Sequence, residues 1–99
     1  MTDATLLIVD DEPANLSVLT HLLQAHYRIR AANSGERALR AAASEPRPDL
    51  ILLDVVMPDM DGFQVLKHLR DNPATRDIPV IFVTAMDSNE AEERGLEHG

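Results

Sequence analysis

The sequence predicts an α/β fold built on a mostly parallel sheet. The first observation is a set of three short apolar runs, Thr5–Val9, Leu50–Leu53 and Pro79–Val83. They are continuous rather than alternating and rich in β-branched residues, which is typical of strands buried on both faces of a parallel sheet. The second observation is that segments with helical periodicity follow these runs. Strand and helix therefore alternate about four times, as in an α/β fold.

A fourth strand and the starts of the helices are marked by weaker local signals. Tyr27–Ala32 has a mixed polar and apolar pattern, which predicts an edge strand. A first helix is expected from Pro13, because proline suits the first helical turn. Ser34 and Asp61 are typical N-caps for a second and a third helix. Asp87 opens an acidic segment that predicts a fourth helix.

Apolar residues recur at helical spacing in the three helical segments. They are Leu16, Leu19, Leu22 and Leu23 in the first helix, Ala38, Leu39 and Ala42 in the second, and Phe63, Leu66 and Leu69 on the expected buried face of the third.

Composition limits the classes of function. A chain of 99 residues forms one domain, residues 1–99. It has no cysteine, which excludes disulfides and thiolate metal sites, and this suits a cytoplasmic protein. The net charge of −8 argues against direct binding of nucleic acid, whose phosphates need a basic surface. The apolar stretch Leu6–Val9 is too short for a membrane span or a signal peptide core.

Polar residues follow each strongly apolar strand. Asp10 and Asp11 come after the first, Asp54 after the second and Thr84 ends the third. Ligands of open α/β sheets bind at the carboxyl ends of the strands, so we expect these four side chains to converge. Two carboxylates about 4 Å apart repel by roughly 4 kcal/mol at an effective dielectric of about 20. Either one carboxyl stays protonated or a cation lies among them.

Carboxylates without histidine or cysteine suit a hard cation that prefers oxygen, and Mg²⁺ is the obvious one. Mg²⁺ held by a few carboxylates keeps positions open for phosphate oxygens, which points to phosphoryl chemistry. A carboxylate such as Asp54 can itself be the nucleophile and form an acyl phosphate.

Three motifs resemble the receiver domain of two-component response regulators in order and spacing. They are Val9-Asp10-Asp11-Glu12, the stretch from Asp54 to Gly62 with its Met-Pro-x-Met-Asp-Gly ending, and Val83-Thr84-Ala85. The resemblance covers essentially the whole chain. It implies a doubly wound, flavodoxin-like (βα)5 fold of the CheY type.

The resemblance also implies residue roles. Asp54 would be the phosphoacceptor, receiving its phosphoryl group from a sensor histidine kinase, a phosphotransfer protein or a small acyl phosphate. Mg²⁺ would be held by Asp11, by Asp10, by Asp54 itself and by the backbone carbonyl of Val56. Such a domain is a conformational switch that controls an output, and it is not a turnover enzyme on an external substrate.

Further implied roles concern the phosphoryl group. The hydroxyl of Thr84 would bond a phosphoryl oxygen and act as the switch. The backbone N–H groups of Ala85 and Val56 would help to neutralise its charge.

The chain departs from the family pattern at its end. Members run on through a fifth strand and helix, with a lysine that contacts the phosphoryl group, whereas this chain stops at Gly99 and carries one lysine, Lys67, within a helix. We therefore expect a fold truncated to about (βα)4, with Pro79–Val83 as an exposed edge. Such an edge favours self-association, unless the chain is a fragment of a longer protein. Any output domain would lie beyond Gly99.

The sequence bears on three alternatives to a phosphoacceptor switch. A phosphatase of the haloacid dehalogenase type needs a second aspartate two residues after the nucleophile, where this chain has Val56. Dinucleotide binding needs a glycine-rich turn, but the turn after the first strand is acidic. A pseudo-receiver, serving as a structural or dimerisation module without phosphotransfer, stays open.

Overall fold

The computed structural model describes residues 4–83. In chain order the elements alternate between strand and helix: β1 Thr5–Val9, α1 Pro13–Leu23, β2 Arg28–Ala32, α2 Gly35–Ala42, β3 Leu50–Leu53, α3 Gly62–Asp71 and β4 Val80–Phe82. The four strands form one parallel sheet in the order β2-β1-β3-β4. The predicted α/β class, the parallel sheet and the edge position of the second strand are therefore confirmed.

The sheet has a well-packed face and a less covered one. Because successive side chains of a strand point to opposite faces, alternate residues separate the two sides. Leu7, Ile51 and Leu53 point into the main core and are fully buried. Helices α2 and α3 pack against each other on that side and add Val65 and Leu69 to it. Helix α1 packs on β1 and β2.

Three of the predicted helix starts are confirmed, and in α2 and α3 a side-chain capping bond marks the start. Pro13 is the first residue of α1. The side chain of Ser34 accepts a hydrogen bond from the backbone N–H of Arg37. Asp61 and Gln64 form a reciprocal capping box, with bonds of 2.9 and 3.0 Å. Local capping chemistry, readable in the sequence, thus sets where α2 and α3 begin.

The predicted core face of α3 is wrong at one position. Phe63 is 47% exposed, and its ring lies 5.0 Å from that of Phe82 on β4. The buried side chains of α3 are Val65 and Leu69, while Leu66 is half-buried. The apolar stripe of the helix is wider than the surface that α2 and the sheet cover. Periodicity finds the stripe but does not fix which edge of it is buried.

Helix α1 and strand β4 carry the most exposed apolar side chains of the described region. None of the residues of α1 is buried, and Leu22 and Val18 are 63% and 56% exposed. Ile81 of β4 is 52% exposed, and β4 lies at an edge of the four-stranded sheet. The exposed edge expected from the sequence is thus found in β4. Within residues 4–83 no helix is long and apolar enough to cross a membrane.

Two of the sequence predictions fall outside residues 4–83. These are the fourth helix expected from Asp87 and the site residues Thr84 and Ala85. They stay predictions.

Candidate functional site

The candidate site lies at the carboxyl ends of the two central strands. β1 and β3 pair in parallel with Val9 opposite Leu53, so that the next residue of each strand, Asp10 or Asp54, leaves the sheet at the same level. The backbone N–H of Asp54 donates to the carbonyl of Val9 at 2.9 Å, and that of Asp10 donates to the carbonyl of Ala32 at 3.1 Å. Regular sheet pairing therefore continues up to both aspartates and fixes their separation.

Three carboxylates meet there. One oxygen each from Asp10, Asp11 and Asp54 lies within 4.8 Å of the others. Asp10 and Asp54 are buried, with 4% and 6% of their surface exposed, whereas Asp11 is exposed. The convergence predicted from the strand ends is confirmed for these three residues, and their arrangement gives a cleft with two buried carboxylates and one that faces solvent.

The environment of Asp54 disfavours its negative charge. Burial is the main cause, and with the neighbouring charge of Asp10 it raises the pKa of Asp54 from 3.8 to about 6. The backbone N–H groups of Val56 and Val55 act in the opposite direction as hydrogen-bond donors to the carboxylate. Oδ1 of Asp54 is buried and has no hydrogen-bond partner within the described residues. A buried oxygen of this kind is normally satisfied by a donor or by a cation.

Asp10 is held by local contacts that the sequence analysis did not identify. Its Oδ1 accepts a hydrogen bond from the backbone N–H of Glu12 at 2.9 Å. Burial raises the pKa of Asp10, and the charges of Asp11 and Glu12 add to this, while the side chain of Asn15 lowers it by hydrogen bonding. Asn15 is the third residue of α1 and lies in its first turn. No motif in the sequence marks it.

The donor set fits a hard divalent cation. It consists of carboxylate oxygens alone, it is open to solvent on the side of Asp11, and it leaves one oxygen of Asp54 unsatisfied. Mg²⁺ prefers oxygen ligands of this kind and retains part of its water shell. The residues present therefore fit the group that the sequence predicts.

The loop between β3 and α3 begins at Asp54. Val56 lies in it, two residues after Asp54, and its side chain is 37% exposed. Asp59 has a positive φ of 69°, a conformation that aspartate tolerates better than most residues. The loop ends at Asp61, the N-cap of α3. Met57, in the same loop, is buried in the main core.

The chain has a parallel α/β sheet with a buried acidic cluster at its strand ends. These two features place it among flavodoxin-like domains that carry a site with oxygen ligands. Within this class the chain belongs to the response regulator receiver family, because the family described as "Response regulator receiver domain" matches residues 6–99. The predicted resemblance is therefore confirmed. Receiver domains of this family are signalling domains of two-component systems.

Individual relatives agree with this assignment. The chain is 46% identical over 99 residues to a probable cyclic di-GMP phosphodiesterase from Vibrio cholerae, matching all of this chain and 22% of that protein. It is 47% identical over 97 residues to the response regulator PleD from Caulobacter vibrioides, matching 97% of this chain and 21% of PleD. The chain thus spans about a fifth of the length of these curated relatives.

A solved structure shows the same fold. The N-terminal domain of a response regulator receiver protein from Methanoculleus marisnigri JR1 superposes with a TM-score of 0.77 at 45% identity. The match covers 92% of this chain and 76% of that chain.

Proposed function

We propose that this chain is a phosphoacceptor switch, with residues 1–99 acting as a receiver domain. In this proposal Asp54 accepts a phosphoryl group, and the change alters how the domain contacts an output. The observation that carries the proposal is the buried carboxylate of Asp54, which has an unsatisfied oxygen and lies beside Asp10 and Asp11. A carboxylate nucleophile held in place beside further metal ligands suits phosphoryl transfer to that carboxylate.

In the reaction we propose, an oxygen of Asp54 attacks the phosphorus of the donor. A bond from this oxygen to phosphorus forms as the bond from phosphorus to the donor's histidine nitrogen breaks, and the electron pair leaves with that nitrogen. With a pKa of about 6, the carboxyl is mostly ionised at pH 7 and therefore available as a nucleophile. The product is an acyl phosphate on Asp54.

Asp10, Asp11, Asp54 and the backbone carbonyl of Val56 are the proposed ligands of Mg²⁺. When bound, Mg²⁺ would supply positive charge against the carboxylates and the phosphoryl oxygens. The chain's own contribution is positioning. Asp10 is fixed by the N–H of Glu12, and the N–H of Val56 lies where it can donate to negative charge at Asp54. We propose that the Thr84 hydroxyl and the Ala85 N–H complete this set.

The proposed partners are a sensor histidine kinase or a phosphotransfer protein, and the proposed location is the cytoplasm. We propose that this domain acts as a switch and does not turn over an external substrate. Its net charge of −8 disfavours direct binding of nucleic acid. The Vibrio cholerae relative is named as a phosphodiesterase for cyclic di-GMP. If this chain is part of a longer protein, we propose that the receiver domain controls an output activity located in another segment of that protein.

We also propose that copies of this chain associate through the edge of β4. Ile81 is 52% exposed on this short edge strand, and unpaired strand edges favour pairing with another chain. Light scattering measures the outcome. A monodisperse monomer at high concentration would rule the association out. A dimer that dissociates in Ile81→Lys would support it.

The phosphoacceptor proposal is tested by intact-mass spectrometry after incubation with acetyl phosphate and Mg²⁺. We expect a gain of one phosphoryl group on the wild-type chain, and no gain for Asp54→Asn or with a chelator present. Asp59→Asn is the matched control, because it makes the same chemical change at an exposed position of the same loop. No gain on the wild type would favour the pseudo-receiver alternative.

A further inference from the structure

Gly62, the first residue of α3, lies unusually close to the backbone of the proposed phosphoacceptor. It is buried, and a Cβ added to it would lie 2.5 Å from the carbonyl oxygen of Asp54 and 2.9 Å from the Cα of Val55. Both distances are below any normal contact, and both partners are backbone atoms that no rotamer change can move away. Only glycine therefore lets α3 begin at this distance.

The same residue makes a hydrogen bond into the loop. The backbone N–H of Gly62 donates to the carbonyl oxygen of Val55 at 2.9 Å. That oxygen belongs to the peptide unit that joins Val55 to Val56. A trans peptide unit is planar, and its C=O and N–H point in opposite directions. Holding the oxygen of this unit at Gly62 therefore sets the direction of the Val56 N–H at the other end.

The backbone N–H of Val56 favours the charged form of Asp54 and thereby lowers its pKa, which puts this donor beside the carboxylate. The backbone thus forms a short relay, from the N–H of Gly62 through one rigid peptide unit to the reacting side chain. The capping box of Asp61 and Gln64 fixes the first turn of α3, so that the Gly62 end of the relay is anchored in a helix.

We propose that Gly62 is a positioning residue for phosphoryl transfer: its N–H and its missing side chain hold the Val55–Val56 peptide unit so that the Val56 N–H points at Asp54. This inference rests on the proposed function of Asp54. Donors that are already oriented toward developing negative charge accelerate a reaction because they need no reorganisation. A methyl group at Gly62 would press on the Asp54 carbonyl as well as on Val55, so a variant that lacks only the Gly62 N–H tests the donor by itself.

The chain offers a matched control in Gly35. It is likewise buried and the first residue of its helix, α2. A Cβ there would lie 2.8 Å from Cγ2 of Val65 and 2.9 Å from Sδ of Met60. These are side-chain atoms, and Asp54 is not among them. Gly35→Ala therefore introduces the same methyl group and a comparable crowding in the core without touching the relay.

The experiment compares wild type, Gly62→Ala and Gly35→Ala at saturating Mg²⁺, under conditions where circular dichroism shows each chain to be folded. Phosphorylation by acetyl phosphate is followed by intact mass, and the Val56 amide is followed by ¹⁵N NMR. We expect Gly62→Ala to slow phosphorylation by about 10- to 100-fold, given the loss of about 100- to 1,000-fold on removing such a donor completely. Gly35→Ala should stay within about threefold of wild type.

A second variant covers the case in which Gly62→Ala does not fold. Replacing the Gly62 amide by an ester through chemical ligation removes the N–H donor and adds no side chain, and it should slow the reaction to a similar degree. Wild-type rates in folded Gly62→Ala or in the ester variant would overturn the inference, as would an equal loss in Gly35→Ala. A wild-type chain that stays unphosphorylated would instead overturn the proposed function, and this inference with it.

Discussion

The backbone N–H of Asp54 donates to the carbonyl oxygen of Val9 at 2.9 Å, so that β1 and β3 are still hydrogen-bonded at the residue proposed as the nucleophile. Asp54 is therefore placed by the central part of the sheet and not by a loop. Its partner Asp10 is placed in the same way, by a bond to β2. Sites built on regular elements hold their geometry more precisely than sites built on loops.

The raised pKa of Asp54 predicts that Asp54→Asn stabilises the metal-free protein at neutral pH. The folded state holds this proton up to about pH 6, whereas an aspartate in the unfolded chain loses it near 3.8. Because the folded pKa is the higher one, the stability it contributes is present below pH 3.8 and is lost as the pH rises through 6. We expect Asp54→Asn to raise the free energy of unfolding at pH 7 by about 1–3 kcal/mol.

Urea unfolding with a chelator present, followed by circular dichroism, measures this. The advantage of Asp54→Asn over wild type should shrink between pH 6 and pH 4. Asp59→Asn, at an exposed position, should show no such change. An advantage of Asp54→Asn that does not depend on pH would contradict the electrostatic explanation.

Mg²⁺ is expected to stabilise the folded chain through the acidic cluster. A ligand that binds only the folded state at 100 times its Kd adds about 2.7 kcal/mol to the free energy of unfolding. Asp11→Asn should abolish most of this gain with little effect on the metal-free protein, because Asp11 is exposed. Thermal unfolding with and without Mg²⁺ measures the gain, and Asp59→Asn should retain it. A gain that survives in Asp11→Asn would place the ion elsewhere.

The packing of α3 predicts that shortening two of its apolar side chains to alanine lowers the stability of the chain by unequal amounts. Leu69→Ala removes a side chain that is 1% exposed and should cost about 2–5 kcal/mol. Phe63→Ala removes a larger side chain, but one that is 47% exposed, and should cost about 1 kcal/mol, mainly through its contact with Phe82. Urea unfolding of both variants decides this. A larger loss for Phe63→Ala would restore the core face that the periodicity alone suggested.

The capping box of α3 predicts that replacing its N-cap residue lowers the stability of the folded chain. Asp61→Ala removes the acceptor of the 2.9 Å bond from the N–H of Gln64 and should destabilise the chain by about 1 kcal/mol. Asp71→Ala is the matched control at the other end of the helix, where an acidic side chain opposes the helix dipole. It should be neutral or slightly stabilising. Equal losses for the two variants in urea unfolding would argue against the cap.

Much of the fold could be predicted because the signals are local. The apolar run Leu50–Leu53 matches β3 residue for residue, and Ser34 and Asp61 mark their helices by bonds to neighbours three positions away. The convergence of the aspartates followed from one general property of parallel sheets. These features depend on sequence neighbours or on the order of strands alone.

The remaining features depend on contacts between distant segments. Arg30 donates hydrogen bonds to the carbonyls of Ala41, Ser44 and Pro46, and so ties β2 to the end of α2. Nothing local to Arg30 indicates these partners. The exposure of Phe63 likewise depends on how far α2 and the sheet reach along α3. The roles of Thr84 and Ala85 stay predictions.

The pairing of Val9 with Leu53 has a consequence for how this chain could misfold. Sliding β3 by one residue along β1 would reverse the face of every β3 side chain and place Leu53 or Val55, instead of Asp54, at the strand end. A mispaired chain could still be compact and rich in secondary structure. It would have lost its acidic cluster, and with it any response to Mg²⁺. Phosphorylation would then report whether the two central strands have found their correct alignment, which circular dichroism does not detect.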